Sequence, residues 1–155
     1  MEFENLEAIV NFAIQKEKEA AEFYETASHE EALSGSKQML LEFAEQERKH
    51  QALLEKYSRE GLDESIRTYK YKWITDIKRS DFVDDIEYKP GMVYHELLLL
   101  AMKREEKALA LYNELLRQVE SEDAKQLFKM LCQEEAKHKL ALETMYDDYM
   151  AEMGD

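Results

Sequence analysis

Four glutamates and two histidines carry the pattern with the clearest chemistry in this 155-residue sequence. Glu47 and His50 lie three residues apart, as do Glu135 and His138, while Glu17 precedes Glu47, and Glu105 precedes Glu135, by the same 30 residues. On an α-helix a three-residue step sets both side chains on one face within about one turn, so a carboxylate and an imidazole can converge on one point. Mixed carboxylate and imidazole donors suit iron or manganese, and the lack of thiolate argues against a structural zinc site. Glu fills 26 of the 155 positions, so a single Glu-x-x-His is a weak signal. The duplication gives it weight. A shift of 88 residues lays Ala13 on Ala101, Glu17 on Glu105, Ala20 on Ala108, Tyr24 on Tyr112, Glu47 on Glu135, His50 on His138 and Leu54 on Leu142 without a gap.

Helices must position these residues. Val10, Ala13, Ile14, Glu17, Ala20, Ala21 and Tyr24 form one stripe of a helix over about Asn5 to Glu31, and Leu40, Phe43, Glu47, His50, Leu54 and Tyr57 form another over about Ser36 to Glu60, with Gly61 as its C-cap. A third helix starts at Pro90 and runs to about Val119, with Leu98, Ala101, Glu105, Ala108, Tyr112 and Leu115 on one face. Ser121 caps the fourth, whose stripe is Phe128, Leu131, Glu135, His138, Leu142 and Met145. Turns near Leu33 and Ser121 put Glu17 level with Glu47, and Glu105 level with Glu135, on antiparallel neighbours. The six polar residues occupy core positions of their stripes, where ions need partners. Two divalent cations would balance four carboxylates, and a redox-active pair could carry two electrons. Tyr24 and Tyr112, two turns beyond Glu17 and Glu105, are candidates to hydrogen-bond the ligand carboxylates, or else plain core aromatics. Met39, Met102, Met130 and Met145 read as core filler, and Cys132 as a small buried thiol.

Composition agrees with an all-α, single-domain reading of residues 1–155: charged residues make up 36%, with one Pro and four Gly. The net charge of −14 disfavours nucleic acid and anionic lipid as partners. A lone cysteine excludes an internal disulfide and a Cys-rich metal site. The longest apolar run, Leu97 to Met102, is too short to span a bilayer. Glu2, Glu4 and Glu7 stand where a signal peptide needs basic residues, which predicts a cytoplasmic protein. Residues 62–89 differ from the rest in carrying Tyr69, Tyr71, Trp73 and a basic excess between Arg67 and Arg79. They are long enough to run the length of a bundle, which predicts a crossover packed as a strap, with a binding lid or dimer surface as the alternative.

The segments A13-I-Q-K-E17-K-E-A-A-E-F-Y24, F43-A-E-Q-E47-R-K-H50, A101-M-K-R-E105-E-K-A-L-A-L-Y112 and C132-Q-E-E135-A-K-H138 resemble the ferritin-like diiron carboxylate superfamily, and within it rubrerythrin-type proteins. The resemblance covers both helical hairpins and not the crossover. It implies a ferritin-like four-helix bundle of two hairpins joined by a long crossover, and a dinuclear centre. In that centre Glu17 and Glu105 would be outer or terminal carboxylates, Glu47 and Glu135 bridging ones, and His50 and His138 each terminal on one metal. Two irons are implied, with manganese or a mixed pair as the alternative. Arg48 stands where bacterioferritins carry a haem-binding Met, so no haem is expected. Two-domain rubrerythrins add a four-cysteine rubredoxin module; with one cysteine, this chain would draw electrons from a separate rubredoxin-like donor. Ala108 stands where those proteins have a further Glu.

The expectation is a diiron oxidoreductase, a homodimer that reduces hydrogen peroxide or dioxygen. A ferroxidase for iron storage or handling is the second reading, and a helical interaction protein without metal chemistry, docking through the Tyr-rich crossover, is the third.

Overall fold

The computed structural model describes residues 2–30, 34–74, 76, 80 and 86–153. It contains α1 (Leu6–Glu30), α2 (Ser34–Glu60), a single-turn α3 (Glu64–Arg67), α4 (Tyr94–Gln118) and α5 (Glu122–Met153), and no strand among the described residues. The chain divides into two compact units, Met1–Thr68 and Tyr69–Asp155, each holding one helical hairpin.

In the first unit, Asn5 caps α1 by accepting the Ala8 amide at 2.9 Å. Most of the predicted stripe is buried: Val10, Ala13, Glu17, Ala21 and Tyr24 on α1, and Leu40, Glu47, His50 and Leu54 on α2, while Ile14, Ala20, Phe43 and Tyr57 are half-buried. Burying a side chain such as Leu54 contributes about 2 kcal/mol. α2 ends where Gly61 adopts a φ of 82° and donates its amide to the Tyr57 carbonyl at 2.9 Å. The left-handed conformation costs glycine nothing and stops the helix. Asp63 then caps α3 through the Ser65 amide and holds Lys56 at 2.6 Å. Both contacts keep the Asp63 carboxyl below the usual carboxylate range. The turn expected near Leu33 lies outside the described residues.

In the second unit two sequence expectations need correction. Pro90 does not open the third helix. It sits in a turn closed by the Met92 amide on the Lys89 carbonyl (3.3 Å), with Gly91 at φ 86°, the type II arrangement that favours Pro followed by Gly. α4 begins four residues later at Tyr94, where the Glu96 side chain accepts the Val93 amide. Met145 is the second correction: it is exposed. Three residues beyond Leu142 the helix has turned about 300°, which carries Met145 to the stripe's edge, and the buried neighbour there is Glu143. Met39, Met102 and Met130 are buried as expected. Ser121 caps α5, its hydroxyl accepting the Ala124 amide at 3.3 Å.

The described part of the crossover in this unit is pinned to α5. The Tyr69 hydroxyl donates to Glu134, and the Lys72 amide donates to Gln133 at 3.2 Å. Further along, Asp76 accepts from Lys139 at 2.9 Å and the Ser80 amide donates to Glu143 at 2.9 Å. At Tyr69, Lys72, Asp76 and Ser80, then, the crossover is fastened to α5.

Candidate metal centre

Each hairpin assembles its own set of donors. In the first, α1 contributes Glu17 and α2 contributes Glu47 and His50 from adjacent turns. Each offers a ligand atom, and these atoms lie within 4.8 Å of one another. All three residues are buried, at 3, 4 and 5% exposure, and Glu17 lies 3.5 Å from His50 Nδ1. In the second, Glu105 of α4 meets Glu135 and His138 of α5, again within 4.8 Å. Glu105 and Glu135 are at 2 and 0% exposure, and Glu105 lies 4.0 Å from His138 Nδ1. His138 is the more open imidazole, with its side chain 17% exposed. Two carboxylates and an imidazole converging in a dry helical interior form a donor set that fits a divalent cation in each hairpin, because a cation offsets the charge that burial makes costly. The six sequence-predicted residues are thus brought together as two sets of three.

Tyr24 and Tyr112 are buried at 1 and 2% exposure. Tyr24 packs against Phe43 with ring centroids 5.4 Å apart, and Tyr112 against Phe128 at 6.1 Å. Their rings serve the core on the same faces as the candidate ligands. Cys132, half-buried on α5, has its thiol pushed up to about 12, first by desolvation and then by the charge of Glu135. Its ground state is the neutral thiol. His29 is exposed and His95 stacks on Tyr149, so both stand apart from the donor sets. Of the acidic neighbours, Glu19 and Glu22 are exposed, Glu134 is tied to Tyr69 and Lys137, and Glu106 holds Lys103 at 2.8 Å. Burial opposes ionisation of Glu106, but its polar contacts, Lys103 foremost, outweigh it and leave the carboxyl below the usual range.

Sequence reasoning missed a second polar group in the same hairpin. Lys139 and Glu143 of α5 are buried at 5 and 1% exposure and joined at 3.1 Å, and Lys139 also holds Asp76. Burial lowers the Lys139 pKa, but the two carboxylates outweigh it and the net shift is upward, so the ammonium persists. Together with Ile74, Leu109 and Ala136 these three residues line a cavity of about 50 Å³. A Lys and a Glu four residues apart ordinarily mark a solvated helix face, and only the strap laid over them makes this pair internal.

A rubrerythrin family profile matches residues 8–146. The chain belongs to the rubrerythrin family. This rubrerythrin-family chain is also similar to the solved structure of a hypothetical protein from Pyrococcus furiosus, with 26% identity and a TM-score of 0.60 over 93% of this chain and 89% of that one. A comparison with curated proteins gives no match. Membership fixes the all-α, ferritin-like fold class and implies a dinuclear metal centre. No helix among the described residues is long and apolar enough to cross a membrane.

Proposed function

We propose that this protein is a diiron oxidoreductase that reduces hydrogen peroxide or dioxygen with electrons from a separate donor. The observation that carries the reading is the pair of buried Glu, Glu and His sets, one in each hairpin, at a constant 88-residue offset within a rubrerythrin-family chain. On this reading the six residues hold one dinuclear centre of a single ferritin-like domain. Glu17, Glu47 and His50 would hold one ion, and Glu105, Glu135 and His138 the other. Bound iron would supply the two reducing electrons and the point at which the oxidant is reduced. The chain supplies the rest. Its carboxylates neutralise the ions, and the buried stripes keep bulk water from the donors. Glu17 and Glu105 stand near Nδ1 of His50 and His138, at 3.5 and 4.0 Å. Cys132, held as a neutral thiol, is a poor competitor for the metals or the oxidant.

Anaerobic titration with ferrous iron is the direct test. About two ions should bind per chain, and the loaded protein should consume hydrogen peroxide when supplied with an electron donor. Unchanged iron binding in Glu47→Ala/His50→Ala refutes the proposal. The charge of −14 also favours a second reading, a ferroxidase that gathers cations for storage. Size exclusion separates the two. A dimer that turns over peroxide supports the enzyme, and a large hollow assembly that accumulates ferric iron supports storage.

A further inference from the structure

The strap carries a feature that the metal centre does not account for. From Arg67 to Arg79 the sequence has five basic side chains against one acidic, a local charge of +4 in a chain whose remaining residues sum to −18. Within the second unit its described residues from Tyr69 to Lys72 are built into a ladder. Tyr69 and Tyr71 meet edge to face with centroids 4.9 Å apart, Lys137 lies over the Tyr69 ring at 4.9 Å, and Lys129 lies over the Tyr71 ring at 4.8 Å. The Lys72 amide is tied to Gln133, so the backbone is fixed where the side chains turn outward. There Lys70 and Lys72 are exposed, Tyr71 is 42% exposed, and Trp73 is 92% exposed. Leaving an indole in water forgoes apolar burial that a docked partner can recover.

We propose that Trp73, Tyr71, Lys70 and Lys72 form the docking surface for an acidic electron-donor protein. The inference rests on the oxidoreductase reading above. Charge decides the class of partner: Lys70 and Lys72 stand exposed on either side of Tyr71 in a chain of net charge −14, so an acidic protein is attracted to this patch while the acidic remainder of the chain disfavours it elsewhere. Position supports the electron-transfer role. The strap is fastened to Gln133, Glu134 and Lys137, which alternate along α5 with Glu135 and His138. A donor seated on the strap therefore stands about one helix diameter, on the order of 10 Å, from the second donor set. A central aromatic anchor ringed by lysines suits the small, salt-sensitive interfaces of redox encounters.

Trp73 is the chain's single tryptophan, so its fluorescence reports this surface alone. The probe is an acidic, tryptophan-free [2Fe–2S] ferredoxin, titrated in its oxidised form into metal-free and iron-loaded full-length protein at low salt. Saturable quenching of Trp73 is expected, with binding weakened about tenfold between about 20 and about 200 mM salt. Lys70→Glu/Lys72→Glu should weaken it by at least about tenfold, and Trp73→Ala, followed by calorimetry, should do the same with thermal stability unchanged. Four results overturn the proposal: no response to ferredoxin, equal binding by the charge-reversed variant, a response produced only by concentrating the protein itself, or one produced by phosphatidylglycerol vesicles in place of ferredoxin. Iron titration of the same samples separates the two readings. Ferredoxin binding without iron binding refutes the diiron centre and keeps the docking surface, whereas iron binding without a Trp73 response refutes the docking surface alone.

Discussion

If the second hairpin's donors evolved to hold a cation, neutralising one of them should stabilise the metal-free protein and destabilise the loaded one. Glu135→Gln is the sharpest case, because Glu135 is fully buried and Gln matches its shape while removing one negative charge. Glu105 and Glu135 present oxygen atoms within 4.8 Å of each other. At an effective dielectric of about 20, two unit charges at that separation repel by about 3.5 kcal/mol. His138 lies 4.0 Å from Glu105 and takes up part of this. A net gain of about 2 kcal/mol on neutralising Glu135 is therefore expected, or about 4–8 °C in melting temperature for a chain of this size. Metal reverses the order. Ligand at 1,000 times its Kd adds about 4 kcal/mol to the wild type, and the variant, lacking an anionic donor, receives less. The assay is thermal unfolding followed by circular dichroism at pH 7.5, with chelator or with excess ferrous or manganous ion under argon. A Glu135→Gln protein less stable than wild type in chelator, or equally stabilised by metal, refutes the argument that these carboxylates are held together against their own repulsion for the sake of a cation.

Four further outcomes follow from the second unit. Lys139→Met leaves Glu143 buried without its ammonium and should cost about 3 kcal/mol, while adding Glu143→Gln, which keeps an acceptor for the Ser80 amide, should restore most of it; chemical denaturation of both variants measures the difference. The Lys139 pKa is raised on folding, so its contribution is fully present below the unfolded value near 10.4 and fades only as pH rises through the folded one; the cost of Lys139→Met should thus be constant from about pH 6 to 9. With its pKa near 12, Cys132 should react with iodoacetamide at pH 8 on the order of a thousandfold more slowly in the native than in the unfolded protein, as read by mass spectrometry. Gly91→Ala places a Cβ on a residue at φ 86° and should cost about 1 kcal/mol of stability; among the described residues no atom beyond its chain neighbours lies within 4 Å of that Cβ, so the loss reflects backbone strain.

Both hairpins were legible in the sequence because their chemistry is periodic. Glu17, Glu47, Glu105 and Glu135 fall on apolar stripes, and a charged residue in such a place is conspicuous by its neighbours. The helix stop at Gly61 and the helix start at Ser121 were legible for a local reason, a left-handed glycine and a hydroxyl cap. Residues placed by non-local contacts were not legible. Lys139 and Glu143 look solvated until Asp76 and Ser80, more than 60 residues earlier in the chain, are laid against them. Pro90 fits a helix N-terminus as well as a turn, and only the following Gly91 decides. Met145 failed because a stripe read at three- and four-residue steps drifts by tens of degrees over 17 residues, enough to move a side chain from core to edge.

The two halves also show which parts of a duplicated site are free to diverge. The offset that pairs Glu47 with Glu135 and His50 with His138 pairs Arg48 with Ala136 and Gln51 with Lys139. In the first hairpin Arg48 reaches Glu25 at 2.7 Å and Gln51 at 2.8 Å, so the polar groups beside the donors are satisfied by α1 and α2 themselves. In the second the guanidinium is replaced by a methyl group, space remains, and Lys139 takes its partners from the strap and from Glu143. Among the described residues, the strap's contacts with Lys139 and Glu143 lie within the second unit. The donor positions are held alike because each half needs the same cation chemistry, while the flanking positions differ according to whether a strap is there to complete them. Replacing Ala136 with Arg would therefore not restore symmetry: the position paired with Glu25 is Asn113, an uncharged partner, and the new cation would stand beside Lys139.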